Sequence, residues 1–348
     1  MMIRKRNGNM LPGQNQRKFD QQERLARQQF TDLFDLAYDL YQGPPKGFRP
    51  ALQFVVAALG HREQMDILEG SLQPAIEVCD GLRDSNEDVD RIGEFRQIFA
   101  IAARASFNAG KFDQAKKLFE EWFTLAQENE EDPPQSDIVM YGLLDRCRTL
   151  WDTELQRRAA EDQADDLPQI KLETTRGDVI LELFENECPN TVAQFVTLVE
   201  EGFYDGNDFH QVVEHMLALT GDKNGDGSAA TDGPFLADEN QGTQSRFCQQ
   251  GSLVMAKIPI KGKKGEFYEN SASTQFAILL QPVPTMMETQ TIFGRVKSGM
   301  DAITSLRRAD SSKKKDKNTV VLPSDRIVRA TVLRKRDHAY LPRLMQSP

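Results

Sequence analysis

The hydrophobic period of this chain changes once, and that change limits it to two unlike folding units. From Phe19 to about residue 160, apolar residues recur at spacings of three and four. Leu25, Phe30, Leu33, Phe34, Ala37, Leu40 and Tyr41 fall on one helical face in this way. After Pro168 the spacing drops to two: Gln169 to Glu173 and Asp178 to Phe184 alternate apolar and polar residues, as half-buried strands do. Between the two patterns, Glu161 to Pro168 (E-D-Q-A-D-D-L-P) is polar and acidic and reads as a linker. At about 100–200 residues per domain, 348 residues hold one unit on each side of it.

The first unit, residues 18–160, is predicted all-helical, behind a polar and disordered stretch at 1–17. Gly43-Pro44-Pro45 stops the first helix. Further helices fit residues 50–67, 71–83, 88–108, 112–128 and 137–160. They are separated by Asp84-Ser85-Asn86, by Ala109-Gly110-Lys111 and by the acidic run from Asn129 to Pro134. Phe99 to Trp122 reads as a helical hairpin: Ala102 and Ala103 permit close approach, Gly110 turns the chain, and Ala115 and Phe119 face back. This resembles a single tetratricopeptide repeat of about 34 residues. One hairpin makes no solenoid, so a generic α-hairpin in a bundle is the plainer reading. The functional reading is a concave helical surface for a protein partner.

In the second unit, Thr175-Arg176-Gly177-Asp178 is a hairpin turn signal. Pro189 opens a helix through Phe195, Val196 and Val199. Short strands follow at 209–213, 216–220, 252–257, 274–279, 291–296 and 326–334, a pattern that suggests a β-barrel or sandwich.

Bulk properties exclude several function classes. The net charge of −10 argues against general nucleic-acid binding, which needs a basic face. Cys79, Cys147, Cys188 and Cys248 form no close pair, so buried free thiols fit better than a zinc or redox site. Two disulfides are arithmetically allowed, with nothing to select a pairing. His61, His210, His215 and His338 are equally scattered. Met1 to Asn9 is basic with no apolar run behind it, and Ala51 to Gly60 is too short to cross a bilayer, so the expectation is a cytoplasmic protein without membrane contact. Asp222 to Gly227 imitates the start of a calcium loop, but the twelfth position, which needs a bidentate Glu, is Gly233. No cofactor is implied.

Two stretches are more specific. One is T-x-x-G-D-V-I-L-E-L-F-x-x-x-x-P-x-T-V-x-x-F from Thr174 to Phe195, continuing into E-G-F-Y-D-G-N-D-F-H from Glu201 to His210. The other is G-S-L-V-M-A at Gly251–Ala256, S-T-Q-F-A-I at Ser273–Ile278 and I-F-G-R-V-K-S-G-M-D at Ile292–Asp301. Gly221-Asp222 and Asp238-Glu239 fall in order between them. Over residues 169–337 the chain resembles a cyclophilin, the family of peptidyl-prolyl cis–trans isomerases, with residues 338–348 left as a tail. The resemblance implies an eight-stranded closed antiparallel β-barrel capped by two helices. It also implies a peptide groove on one outer face, and proline-containing protein clients.

The X–Pro bond prefers trans only slightly, but its rotation barrier is about 18–20 kcal/mol and uncatalysed exchange takes roughly 10–100 s. No bond breaks, so no nucleophile, metal or acid–base pair is required. An isomerase needs an apolar pocket for the proline ring, polar groups on the flanking backbone, and a donor aimed at the prolyl nitrogen, best if charged. The resemblance carries these roles onto residues that keep only part of the site. The family's F-H-R is Phe209-His210-Gln211, so the catalytic guanidinium position holds a neutral amide. Met216 and Leu217 stay apolar, whereas Leu219 replaces a gripping glutamine. Ala256 matches, Lys257 replaces an asparagine, and Gln275 is kept. Ala277 stands where the pocket phenylalanine should be, Met286 replaces a leucine, and Gln290 replaces a histidine. His210 itself reads as a satisfied structural histidine.

The loop 258–273 is longer than the family's and carries Lys261, Lys263, Lys264, Phe267 and Tyr268. An exosite for acidic partners and aromatic cover of the groove are its functional readings; a solvated loop is the plainer one. Three functions follow: an attenuated isomerase whose helical domain recruits clients, a catalytically silent proline-peptide binder or chaperone scaffold, and a helical partner-binding domain with the barrel as passenger.

Overall fold

A computed structural model of the chain describes residues 25, 32–42, 55–59, 73–84, 96–213, 216–231, 233–239, 245–263, 265–307, 309–310 and 324–346. The expected disorder at 1–17, the Gly43-Pro44-Pro45 stop, His61, His215, Lys264 and the run from Ser311 to Lys317 lie outside the described residues.

Helical segments at 32–42 and 55–59 precede α1 (Gln73–Asp84), α2 (Gln97–Asn108), α3 (Phe112–Glu128) and α4 (Gln135–Ala164). The first segment corrects the single face read from the sequence. Phe34, Ala37 and Tyr41 are buried, while Leu33 and Leu40 are 50% and 53% exposed. Successive residues turn by about 100°, so these are two adjacent stripes, and only one faces the core. Helices α2 and α3 form the expected hairpin. Gly110 turns it at φ 74°, and a Cβ there would meet Trp151 Nε1 of α4 at 2.8 Å. The linker is shorter than its composition suggests, because residues 161–164 are the last turn of α4. That helix ends where Asp165 adopts a left-handed φ of 41° and its N–H bonds Glu161 O at 2.8 Å.

The second unit holds β1 (Gln169–Thr174), β2 (Gly177–Leu183), α5 (Pro189–Glu200), β3 (Gln211–Val213), β4 (Leu217–Thr220), β5 (Ser252–Met255), β6 (Phe276–Leu279), β7 (Ile292–Ser298), α6 (Met300–Thr304), β8 (Ala309–Asp310) and β9 (Ile327–Arg334). The sheet is antiparallel throughout, in the order β8-β3-β4-β6-β5-β7-β2-β1-β9. The expected closed, eight-stranded barrel is therefore replaced by an open nine-stranded sheet. Strand β8 takes the edge of β3 that a closing strand would need, so among the described residues β9 meets the residues ahead of β3, through the bridge Asp208–Arg326 and the bond from Gly206 N to Ile327 O. Inside the curved sheet, Phe195, Tyr204, Phe276 and Phe293 pack with ring centroids 5.0–6.1 Å apart. Glu239 caps α5, accepting from the N–H groups of Asn190 and Thr191 at 3.0 and 2.8 Å. Residues 341–346 are docked rather than free, since Phe235 and Met345 exchange both backbone hydrogen bonds.

The two units share one apolar cluster. Helical residues including Phe112, Phe119 and Trp122 join Phe184, Phe247, Val254, Leu279, Met287 and Ile292 of the sheet unit. Phe247 stands against both Phe112 and Trp151, at 6.2 and 5.9 Å. Beside it, Arg246 is 1% exposed and lies 3.7 Å from the Phe184 ring centre. It donates to Glu154 at 2.9 and 2.8 Å, to Glu161, and to Glu187 at 3.2 Å.

Candidate functional site

The strand register builds the site. Gln211 pairs with Leu219, Leu219 with Ala277, and Ala277 with Val254, so these four residues form one row across β3, β4, β6 and β5. Side chains alternate along each strand, so Leu217 and Gln275, two residues away, share that face. Alanine is the smallest member of the row and leaves a pit between Leu219 and Val254. A cavity of about 430 Å³ opens over it, within the size range of ligand sites.

Of the residues predicted to form the groove, Gln211, Met216, Leu217, Leu219, Ala256, Lys257, Gln275, Ala277, Met286 and Gln290 all line this cavity. Phe209 does not: it is fully buried in the sheet's interior cluster together with Val212. Those two are three residues apart, so regular alternation begins only at Gln211, after the backbone bond from Phe209 N to Asp325 O. The sequence reading did not assign Val213, Asp226, Gly227, Val254, Met255, Pro259 and Ser273 to the groove, yet they also line it, as do His210, read as structural, and Phe267, offered as aromatic cover. Val254 was findable, since pairing β5 with β6 places it beside Ala277.

The polar groups differ in how they are held. Gln275 Nε2 donates to Asp222 Oδ1 at 2.8 Å, and the Asp222 carboxylate also accepts the N–H groups of Asp226, Gly227 and Ala229 at 3.0–3.1 Å. The calcium-like loop thus spends this carboxylate on its own backbone. Lys257 is a strut: with 4% of its side chain exposed, Nζ donates to Asp238 Oδ2 at 2.7 Å and to Thr289 O at 3.0 Å. Gln211 is half-buried and makes no side-chain hydrogen bond among the described residues.

His210 corrects the expectation of a satisfied histidine. It is 3% exposed, and its ring nitrogens make no well-formed hydrogen bond among the described residues, where only the Asp208 backbone comes near enough to bond the ring loosely. Burial lowers its pKa below the usual 6.5, against the opposing pull of Asp222, the Asp208 backbone and Asp226. Gln290 is 4% exposed and its Oε1 is likewise unpaired. Buried polar atoms are normally bonded, so these two present unmet donors and acceptors at the cavity wall. All four cysteines are buried, and Cys147, Cys188 and Cys248 form no disulfide. Burial pushes Cys147 up to about 11 and raises Cys188 and Cys248, so none of these three is a thiolate at neutral pH.

Residues 169–332 match the family model of the cyclophilin type peptidyl-prolyl cis–trans isomerases. A peptidyl-prolyl cis–trans isomerase-like protein 1 of Neurospora crassa is 33% identical over 170 residues, covering 48% of this chain and 96% of that protein. The peptidyl-prolyl cis–trans isomerase ppi1 of Schizosaccharomyces pombe is 34% identical over 150 residues, covering 42% of this chain and 90% of that one. A cyclophilin structure from Cryptosporidium parvum aligns with a TM-score of 0.40 at 23% identity, covering 49% of this chain and 99% of that one. Through its C-terminal half, the chain belongs to the cyclophilin-type peptidyl-prolyl cis–trans isomerases. Among the described residues, no helix is long and apolar enough to cross a membrane.

Proposed function

We propose that the cavity over Ala277 binds X-Pro segments of protein clients and isomerises them at a reduced rate. The observation that carries this reading is an apolar pit ringed by unspent neutral polar groups: the Gln211 amide, the His210 ring and Gln290 Oε1. Such a site can seat a proline ring and hydrogen-bond the flanking backbone. Among the described residues the lining cation is Lys257, which is committed to Asp238 and Thr289 O, so the prolyl nitrogen meets an amide rather than a charge. Losing one preorganised transition-state donor costs about 10²–10³ in rate. Gln211 Nε2 retains a single neutral donor, which slows the reaction without removing it. The Ala277 pit also under-fills around a proline ring, which forgoes about 1–3 kcal/mol of the burial that a large apolar wall provides.

No step of the exchange requires a metal or cofactor. The buried thiols Cys147, Cys188 and Cys248, held outside any disulfide, fit a reducing compartment such as the cytoplasm. A protein partner on the helical unit would have to use surface other than the Phe112–Trp151 face, which Phe247 covers.

The test is exchange kinetics of X-Pro peptides with the wild type, with Gln211→Arg, and with Gln211→Arg plus Ala277→Phe. The expected result is a slow rate above background that the double substitution raises by about 10²–10³. Peptide binding with no wild-type exchange would leave a binding module instead. A double variant no faster than the wild type would overturn the assignment of the site.

A further inference from the structure

The segment after Lys257 is a formed hairpin whose tip, from Lys261 to Lys263 and at Gly265 and Glu266, is exposed to solvent. Pro259 and Phe267 bridge antiparallel, Ile260 N donates to Glu266 O at 3.0 Å, and Tyr268 N donates to Ile258 O at 2.9 Å. Its root is clamped. Asp238 Oδ2 accepts from both Lys257 Nζ (2.7 Å) and Asn270 N (3.0 Å), and Asn270 Oδ1 accepts from Asp238 N at 2.9 Å. Because Lys257 also bonds Thr289 O, one buried ammonium ties the hairpin root to the segment that carries Gln290. The hairpin is thereby fixed against the opposite wall of the groove.

Proline exchange over Ala277 does not call for this wall, yet Pro259 and Phe267 line the same cavity as Ala277, with Gly227 and Ser273 beside them. The Phe267 ring stacks on no other ring among the described residues. Lys257 is balanced by Asp238 and Lys263 by Glu266 at 3.0 Å, exposed Lys261 does not line the cavity, and the other charged lining residue, Asp226, is itself an acid. Flat, rigid apolar faces beside neutralised charge favour an apolar ring over an acidic side chain.

We propose that the 258–271 hairpin builds a second subsite that takes an aromatic side chain of the same bound segment, close in sequence to the proline. This rests on the cavity being the client groove. An extended chain advances about 3.3–3.6 Å per residue, so a segment with its proline over Ala277 must lay neighbouring residues along the cavity wall. Phe267 is then a specificity-determining residue, and the clients carry an aromatic near the isomerised proline.

The experiment uses the full chain and fluorescent peptides with one proline in an alanine host, with phenylalanine introduced at each flanking position in turn. At one position phenylalanine tightens binding about two- to tenfold. Phe267→Ala abolishes that gain, read as the ratio of the Kd values for the all-alanine and phenylalanine peptides, and an unchanged urea midpoint shows that the variant is folded. Phe267→Leu keeps part of the gain, and Tyr268→Ala, whose side chain does not line the cavity, keeps all of it. No gain at any position in the wild type, or a gain that survives Phe267→Ala, overturns the subsite alone. If no proline peptide binds at all, the groove assignment falls and the subsite with it.

Discussion

Replacing Arg246 with methionine should destabilise both units at once. Methionine keeps an apolar stem over Phe184 but leaves Glu154 with Arg158 alone and Glu161 with Arg295 at 4.0 Å. The two glutamate side chains are 1% and 10% exposed, so solvent does little to screen them. Removing one partner of a buried ion pair costs about 3–5 kcal/mol, a large share of a total stability of about 5–15 kcal/mol. Urea unfolding reads the loss with two probes. Fluorescence reports the helical unit, because both tryptophans, Trp122 and Trp151, lie there; far-UV circular dichroism reports helices and sheet together. Both midpoints should fall together, since the guanidinium bonds α4 on one side and packs on Phe184 on the other. Adding Glu154→Gln should recover part of the loss by removing one under-compensated charge. The pH dependence gives a second reading. Burial alone would raise the pKa of Glu154, but Arg246 and Arg158 outweigh it and hold the group below the usual 4.5. A carboxylate depressed in the folded state stabilises at neutral pH, and that contribution is lost as pH falls through 4.5 and below. Without Arg246, Arg158 alone opposes burial, and the loss begins at higher pH. A shift under about 1 kcal/mol, with an unchanged acid limb, would refute the claim that this buried cluster holds the units together.

Two further outcomes follow from the site. Lys257→Met should cost about 3–5 kcal/mol by stranding Asp238, and backbone amides over 258–271 should exchange faster while those of α2 and α3 do not; uniform exchange would deny Lys257 its role as a strut. For His210, the folded pKa lies below 6.5, so the unfolded chain takes up a proton that the buried ring refuses. Stability is therefore present above 6.5 and falls as pH drops below it. His210→Gln should flatten that part of the slope between pH 7.5 and 5.5, read from urea midpoints.

Much of the fold was legible because alternation is a local signal. The strand starting at Ser252 and the helix opened by Pro189 announce themselves within a few residues. The open edge was not legible, because the pairing of two-residue β8 with β3 leaves no periodicity to read. Arg246 was invisible for a related reason: its partners Glu154 and Glu161 lie 92 and 85 residues away, and nothing local distinguishes it from a surface arginine. In the groove, the family pattern located the row from Gln211 to Ala277, since substituted positions still occupy the same register. It misplaced Phe209, where the chain departs from strand geometry. It also undervalued Phe267, whose place depends on a hairpin set by distant Asp238.

The groove and the helical unit are one mechanical object. Val254 belongs to the row around the pit and also to the cluster that includes Phe112 and Phe119. The turn at 284–288, which carries Met286, is held from behind: Ser245 Oγ donates to Met287 O at 3.0 Å, Val283 N donates to Cys248 O at 3.1 Å, and Arg146 of α4 pairs with Glu288. From the front, Lys257 holds Thr289 O. The wall formed by Met286 and Gln290 is thus set jointly by a helix from the first unit and a hairpin from the second. Packed interiors pass such constraints on because they deform little. Helices that fix a groove wall constrain the shape the groove presents, so the position of the Met286–Gln290 wall and the packing of the helical unit are coupled by construction.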